Sequence, residues 1–144
     1  MTQIYCAYLG KFVKESAEIS GELIDVLGEA TLFDWQRMWI IAALMQATSA
    51  DDQAVKAVVP ILTDPARHDA LRAVAAMFVG KFGDHDRRKA LFGIYGVVSE
   101  YVQLAIYFSS RSWPYVERKS ARDSWGGHGQ LHKMMSKSLA MLKG

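Results

Sequence analysis

The sequence has a single cysteine, Cys6, and only three prolines in 144 residues. One thiol cannot close an internal disulfide, which excludes a disulfide-stapled secreted scaffold. Cys6 sits among apolar neighbours and reads as an inert buried thiol. Period-two alternation is almost missing, so β-strands have no signal. Long apolar runs are missing as well. Residues 38–47 are apolar apart from Gln46, but a bilayer needs about 20 residues. Residues 90–108 are interrupted by Ser99, Glu100 and Gln103, and a carboxylate is costly in lipid. The N-terminus lacks the basic start and long apolar run of a secretory leader. No membrane association is expected, and the expected location is cytoplasmic.

Catalytic and cofactor signatures are equally scarce. The phosphate-loop pattern GxxxxGK[ST] does not occur, so Gly80 with Gly83 and Gly93 with Gly96 carry no such meaning. Ser109, Ser110 and Ser112 have no partner base for nucleophilic chemistry. His128 and His132, four apart, supply two ligands where structural zinc takes four. Asp51-Asp52 and Asp84-His85-Asp86 suit the first turns of helices, where acidic groups meet the positive end of the dipole. No metal, cofactor or enzymatic activity is expected.

What is present is helix. Hydrophobic residues make up 51% and charged residues 22% of the chain, enough for a core and too apolar for disorder. Ile19, Leu23, Val26 and Leu27 recur at helical spacing opposite Glu15, Glu18, Glu22 and Asp25, with Gly28 at the end. Asp34 reads as the N-cap of a helix over 35–47, apolar on nearly every face, which packs Trp35 and Trp39 into the core. Ser49-Ala-Asp-Asp52 spells a capping box for a helix over 50–62, with Pro60 predicting a kink or a stop near Val59. Asp64-Pro65 predicts the start of a helix over 65–82, and Gly83 a left-handed C′ turn. Asp84 caps the next helix, which reaches about Val98. Others follow over 99–110 and 113–125. Residues 126–129 form a flexible break before an amphipathic helix over 130–142. The expected architecture is one all-α domain over 1–144, with seven or eight short antiparallel helices forming a solenoid or a compact bundle.

The helices also repeat. WQRMWIIAALMQA at 35–47 aligns with ALRAVAAMFVGKF at 70–82, placing Arg37 on Arg72, and YVQLAIYFSSRSW opens a third copy near Tyr101. Each apolar helix is followed by a polar turn and a second helix. These units resemble HEAT repeats over roughly residues 34–125, which implies helix pairs stacked into a curved solenoid. The order DWQRMW, ALRAVAAMFVGKFGD, RRKALFGIYG and SSRSWPYVERKSAR also resembles the helical C-terminal extension of some bacterial reverse-transcriptase-like proteins, including those of antiviral defence. The resemblance implies support of a catalytic region or its nucleic acid, and the YxDD carboxylate pair of a polymerase is not present.

Charge gives the functional lead. Residues 1–110 hold 10 Lys/Arg against 13 Asp/Glu, whereas residues 111–144 hold 7 against 2. The overall +2 hides an acidic body and a basic C-terminal third. Arg111, Arg118, Lys119 and Arg122 form the first candidate binding set, Arg87, Arg88 and Lys89 a companion patch, and Trp113 and Trp125 lie among these cations. Three readings follow. The first is a non-enzymatic scaffold that binds a protein partner across stacked helices, with an exposed apolar patch beside the charges. The alternative is a nucleic-acid accessory domain that contacts phosphates rather than bases. The third is an enzyme whose site converges from distant helices.

Overall fold

The computed structural model describes residues 17–46 and 52–124. Seven helices and no strand occur among them: α1 (Ala17–Leu27), α2 (Asp34–Leu44), α3 (Asp52–Thr63), α4 (Asp69–Phe82), α5 (His85–Ile94), α6 (Glu100–Ser110) and α7 (Tyr115–Ser124), with a 3-10 turn at Tyr95–Val97. The all-α reading holds. Residues 1–10, three members of the expected capping box (Ser49, Ala50 and Asp51), Trp125, the 126–129 break and the 130–142 helix lie outside the described residues.

Beyond α1, the first helices α2, α4 and α6, which begin at Asp34, Asp69 and Glu100, alternate along the chain with the second helices α3, α5 and α7. The centre of the molecule is α4, which packs against α2, α3, α5 and α6. Its Leu71, Ala75, Ala76 and Phe78 are wholly buried. Each large apolar side chain buried this way contributes about 1.5–3 kcal/mol.

The first helices share a hydrogen-bond register. The residue three places into each first helix reaches back to a carbonyl at or just past the end of the preceding element. Arg37 donates to the carbonyls of Glu29, at 2.7 Å, and Leu32. Arg72 Nε donates to Leu62 O at 2.9 Å, and Gln103 Nε2 to Tyr95 O at 2.8 Å. Helix ends leave their last carbonyls without partners, so a long donor at this position meets a standing need. The far ends of the first helices are joined in a related way. Lys81 Nζ donates to Met45 O at 2.7 Å, and Trp113 Nε1 donates to Gly80 O at 2.9 Å. Gly80 is required here, because a Cβ at this position would fall inside the Ser109 side chain of α6.

Several local expectations are corrected. Asp34 is the first residue of α2 and not its cap. The Phe33 N–H donates instead to Gln36 Oε1 at 2.9 Å, while the Asp34 carboxylate turns to Arg67 at 2.9 Å and the His68 N–H at 3.3 Å. Burial works against ionisation of Asp34, but these bonds and the charges of Arg67 and Arg37 hold its pKa below the usual value. Asp64-Pro65 opens a turn rather than a helix: Asp64 Oδ1 accepts from Ala66 N at 2.9 Å, and α4 starts only at Asp69, capped by His68 Nδ1 accepting from Ala70 N at 3.1 Å. Pro60 does not stop α3, which runs on to Thr63. The lost backbone bond costs about 3 kcal/mol. Burial of Ile61 and Leu62 in the following turn offsets it, and the Thr63 hydroxyl donates to Val59 O at 3.1 Å. Gly83 is extended (φ −67°, ψ 153°), not left-handed. Its glycine is needed for close approach, since a Cβ would collide with Val79 O. Asp84 does cap α5, accepting from Arg87 N at 2.9 Å.

Candidate interaction surface

The second helices are joined by charge. Asp52, at the start of α3, pairs with Arg87 of α5 at 2.5 Å and with Lys56 at 2.9 Å. Arg88 of α5 makes a two-pronged contact with Glu117 of α7, at 2.5 and 2.8 Å, and also donates to Gly83 O at 2.7 Å. His85 Nδ1 lies 3.0 Å from the same carboxylate. The Arg88 guanidinium holds the Glu117 pKa down at about 2; burial opposes the shift and His85 adds to it. Two of the candidate binding cations, Arg87 and Arg88, are therefore engaged within the fold. Lys89 remains exposed on α5.

Trp113 is also taken up internally. It is 5% exposed and its indole N–H is spent on Gly80. A buried ring with a satisfied donor has no face to offer a base or a partner. Arg111 and Lys119 are exposed. Arg118 lies over the Tyr115 ring, 5.6 Å from its centroid, and donates to the Arg111 carbonyl at 3.2 Å. This ties Arg118 to Arg111 across the turn between α6 and α7, with Lys119 the next residue along α7. The backbone of Arg122 continues α7, its side chain lies outside the described set, and so does Trp125.

A second surface has no counterpart among the residues expected to bind. Aligning the first helices on Arg37, Arg72 and Gln103 places Trp35, Ala70 and Tyr101 at one position, and Ala42, Met77 and Phe108 at another, seven residues on. Seven residues are close to two helical turns, so both positions share a face. Trp35 is 50%, Met77 40%, Tyr101 70% and Phe108 48% exposed. None of the six carries a charge, and the stripe crosses α2, α4 and α6 in their packing order. Placing Trp35 in the core was wrong: it is half exposed, while Trp39 does pack on the core. At the α2 end the stripe opens into a groove of about 740 Å³, lined by Phe33, Trp35, Met38, Ala70, Arg67 and His68 among others.

Trp35 escapes sequence reasoning because the helix over 35–47 is apolar on nearly every face, and periodicity alone does not say which face of that helix, or of those carrying Met77, Tyr101 and Phe108, is covered. The repeat alignment held a usable signal, since it already set Trp35 beside Tyr101 and Met77 beside Phe108. Among the described residues no group of three or more His, Cys, Asp or Glu is placed to hold a metal ion, and no helix is long and apolar enough to cross a membrane. Compared with known protein families, characterised proteins and solved structures, the chain matches none.

Proposed function

We propose that this chain is a non-enzymatic, cytoplasmic scaffold of HEAT-like helix pairs that binds a protein partner across its first helices. The observation that carries the reading is the uncharged stripe Trp35, Ala70, Met77, Tyr101 and Phe108. Single exposed apolar residues are ordinary, but a contiguous patch that spans three helices marks an interaction surface. Aromatic and Met side chains are the types enriched at the centres of protein interfaces. The equivalent register of Arg37, Arg72 and Gln103 supports the stacked-pair arrangement, in which repeated first helices build one continuous face. The acidic and histidine groups that could have suggested catalysis have structural partners: Asp84 caps α5, and His85 meets Glu117.

The test is recovery of partners by the purified chain from a lysate of its source cells. Wild type and a Lys56→Glu variant should recover the same protein. A Met77→Glu/Phe108→Glu variant with an unchanged circular dichroism spectrum should lose it. Equal recovery by all three would remove the stripe from the account.

A further inference from the structure

We infer that the α6/α7 end of this surface takes an acidic peptide segment with apolar side chains between its carboxylates. The inference rests on the protein-binding reading and adds the chemistry of the partner. Three cations, Arg111, Arg118 and Lys119, fall within nine residues, and Glu117 is the carboxylate among them. Glu117 is turned toward α5 and bound there by Arg88, so among the described residues no carboxylate pairs with the outer cations. Arg118 is held in place from two sides, by the Tyr115 ring and by the Arg111 carbonyl. A guanidinium fixed in this way loses little freedom when it meets a carboxylate. Apolar groups surround the charges: Tyr115 is 66% and Val116 77% exposed, and Phe108 lies one helical turn before Arg111. Cations interleaved with apolar side chains complement a segment that interleaves carboxylates with apolar side chains.

A nucleic-acid backbone fits the same surface less well. Strong phosphate binding draws on roughly 6–10 cation contacts along a track. Here Arg87 and Arg88 are neutralised by Asp52 and Glu117, and among the described residues the cations left beside α7 are Arg111, Arg118 and Lys119. Of the rings beside these cations, Trp113 is buried and Arg118 already occupies one face of Tyr115, which leaves less open ring for base stacking.

The experiment measures fluorescence anisotropy of three labelled probes with the full chain at low salt. The probes are a peptide alternating Glu with Phe and Leu, the same peptide with Gln for every Glu, and a single-stranded RNA. The proteins are wild type, an Arg111→Ala/Arg118→Ala/Lys119→Ala variant and a Lys56→Ala control, each shown to be folded by its thermal melt. The expected result is binding of the acidic peptide that weakens about tenfold with the Gln peptide and about tenfold in the triple variant, on the scale of a few exposed charge pairs. The Lys56→Ala control should match wild type. Equal affinity for the Gln peptide would overturn the inference, and so would tighter binding of RNA that is lost in the triple variant. No binding of the acidic peptide, with partner recovery through Met77 and Phe108 intact, would sink this inference alone and leave the scaffold reading standing.

Discussion

Between α4 and α6 the seam is dry. Gly80 lets the helices approach, Phe78 and Ile106 are wholly buried, and Trp113 closes the end with one hydrogen bond to Gly80. Between α5 and α7, the helices that follow them in the chain, the seam is ionic, and Arg88 and His85 converge on Glu117. Both seams join residues 29 to 33 positions apart in the sequence, yet they respond to different perturbations. The dry seam depends on volume and close packing, and the ionic seam on protonation state. This division also sorts the surface. The ionic row consumes Arg87 and Arg88, whereas the dry row leaves its outer apolar stripe exposed.

Breaking the dry seam should have the largest effect. Trp113→Ala removes a buried ring and should cost about 3–5 kcal/mol in urea unfolding. Trp113→Phe keeps most of the packing and strands Gly80 O, so its cost should be nearer 1 kcal/mol. Gly80→Ala comes next. The added methyl group forces α4 and α6 apart, and overpacking of this kind costs about 1–3 kcal/mol, read from the same unfolding curves. The ionic seam should follow. Glu117→Gln should lower stability by roughly 1 kcal/mol at neutral pH.

The ionic seam also has a pH signature with a defined sign. The folded pKa of Glu117, about 2, lies below the usual 4.5. The unfolded chain therefore binds this proton first as the pH falls. The stabilisation is complete above the usual value and is lost as pH drops toward about 2. Thermal melts across this range should show a steeper acid decline for wild type than for Glu117→Gln. Asp52→Asn should have the smallest effect, with no resolvable change in melting temperature. Its carboxylate is open to solvent, where water screens the pairs with Arg87 and Lys56.

Most of the fold was legible from periodicity and caps. The span of α6 and the cap at Asp84 follow local rules, because they are set within a turn or two of helix. The errors came where a distant partner competes with a local one. Asp34 gives up capping for Arg67 and His68, and Asp64 and Pro65 settle into a turn because α4 is capped by His68. Pro60 stays helical because the next turn is buried. The candidate surface was legible in part. Arg111, Arg118 and Lys119 came from the charge count. The engagement of Arg87 and Arg88 depends on carboxylates about 30 residues away, which no local pattern reveals. The apolar stripe was hidden because composition does not say which face of an apolar helix is covered.

The division between the rows can be tested directly by placing a photo-crosslinking residue at Met77 and, in a separate variant, at Lys89, then irradiating intact source cells. The account predicts a discrete protein adduct from the Met77 position on the first-helix row and none from the Lys89 position on the second. An adduct from Lys89 without one from Met77 would contradict it.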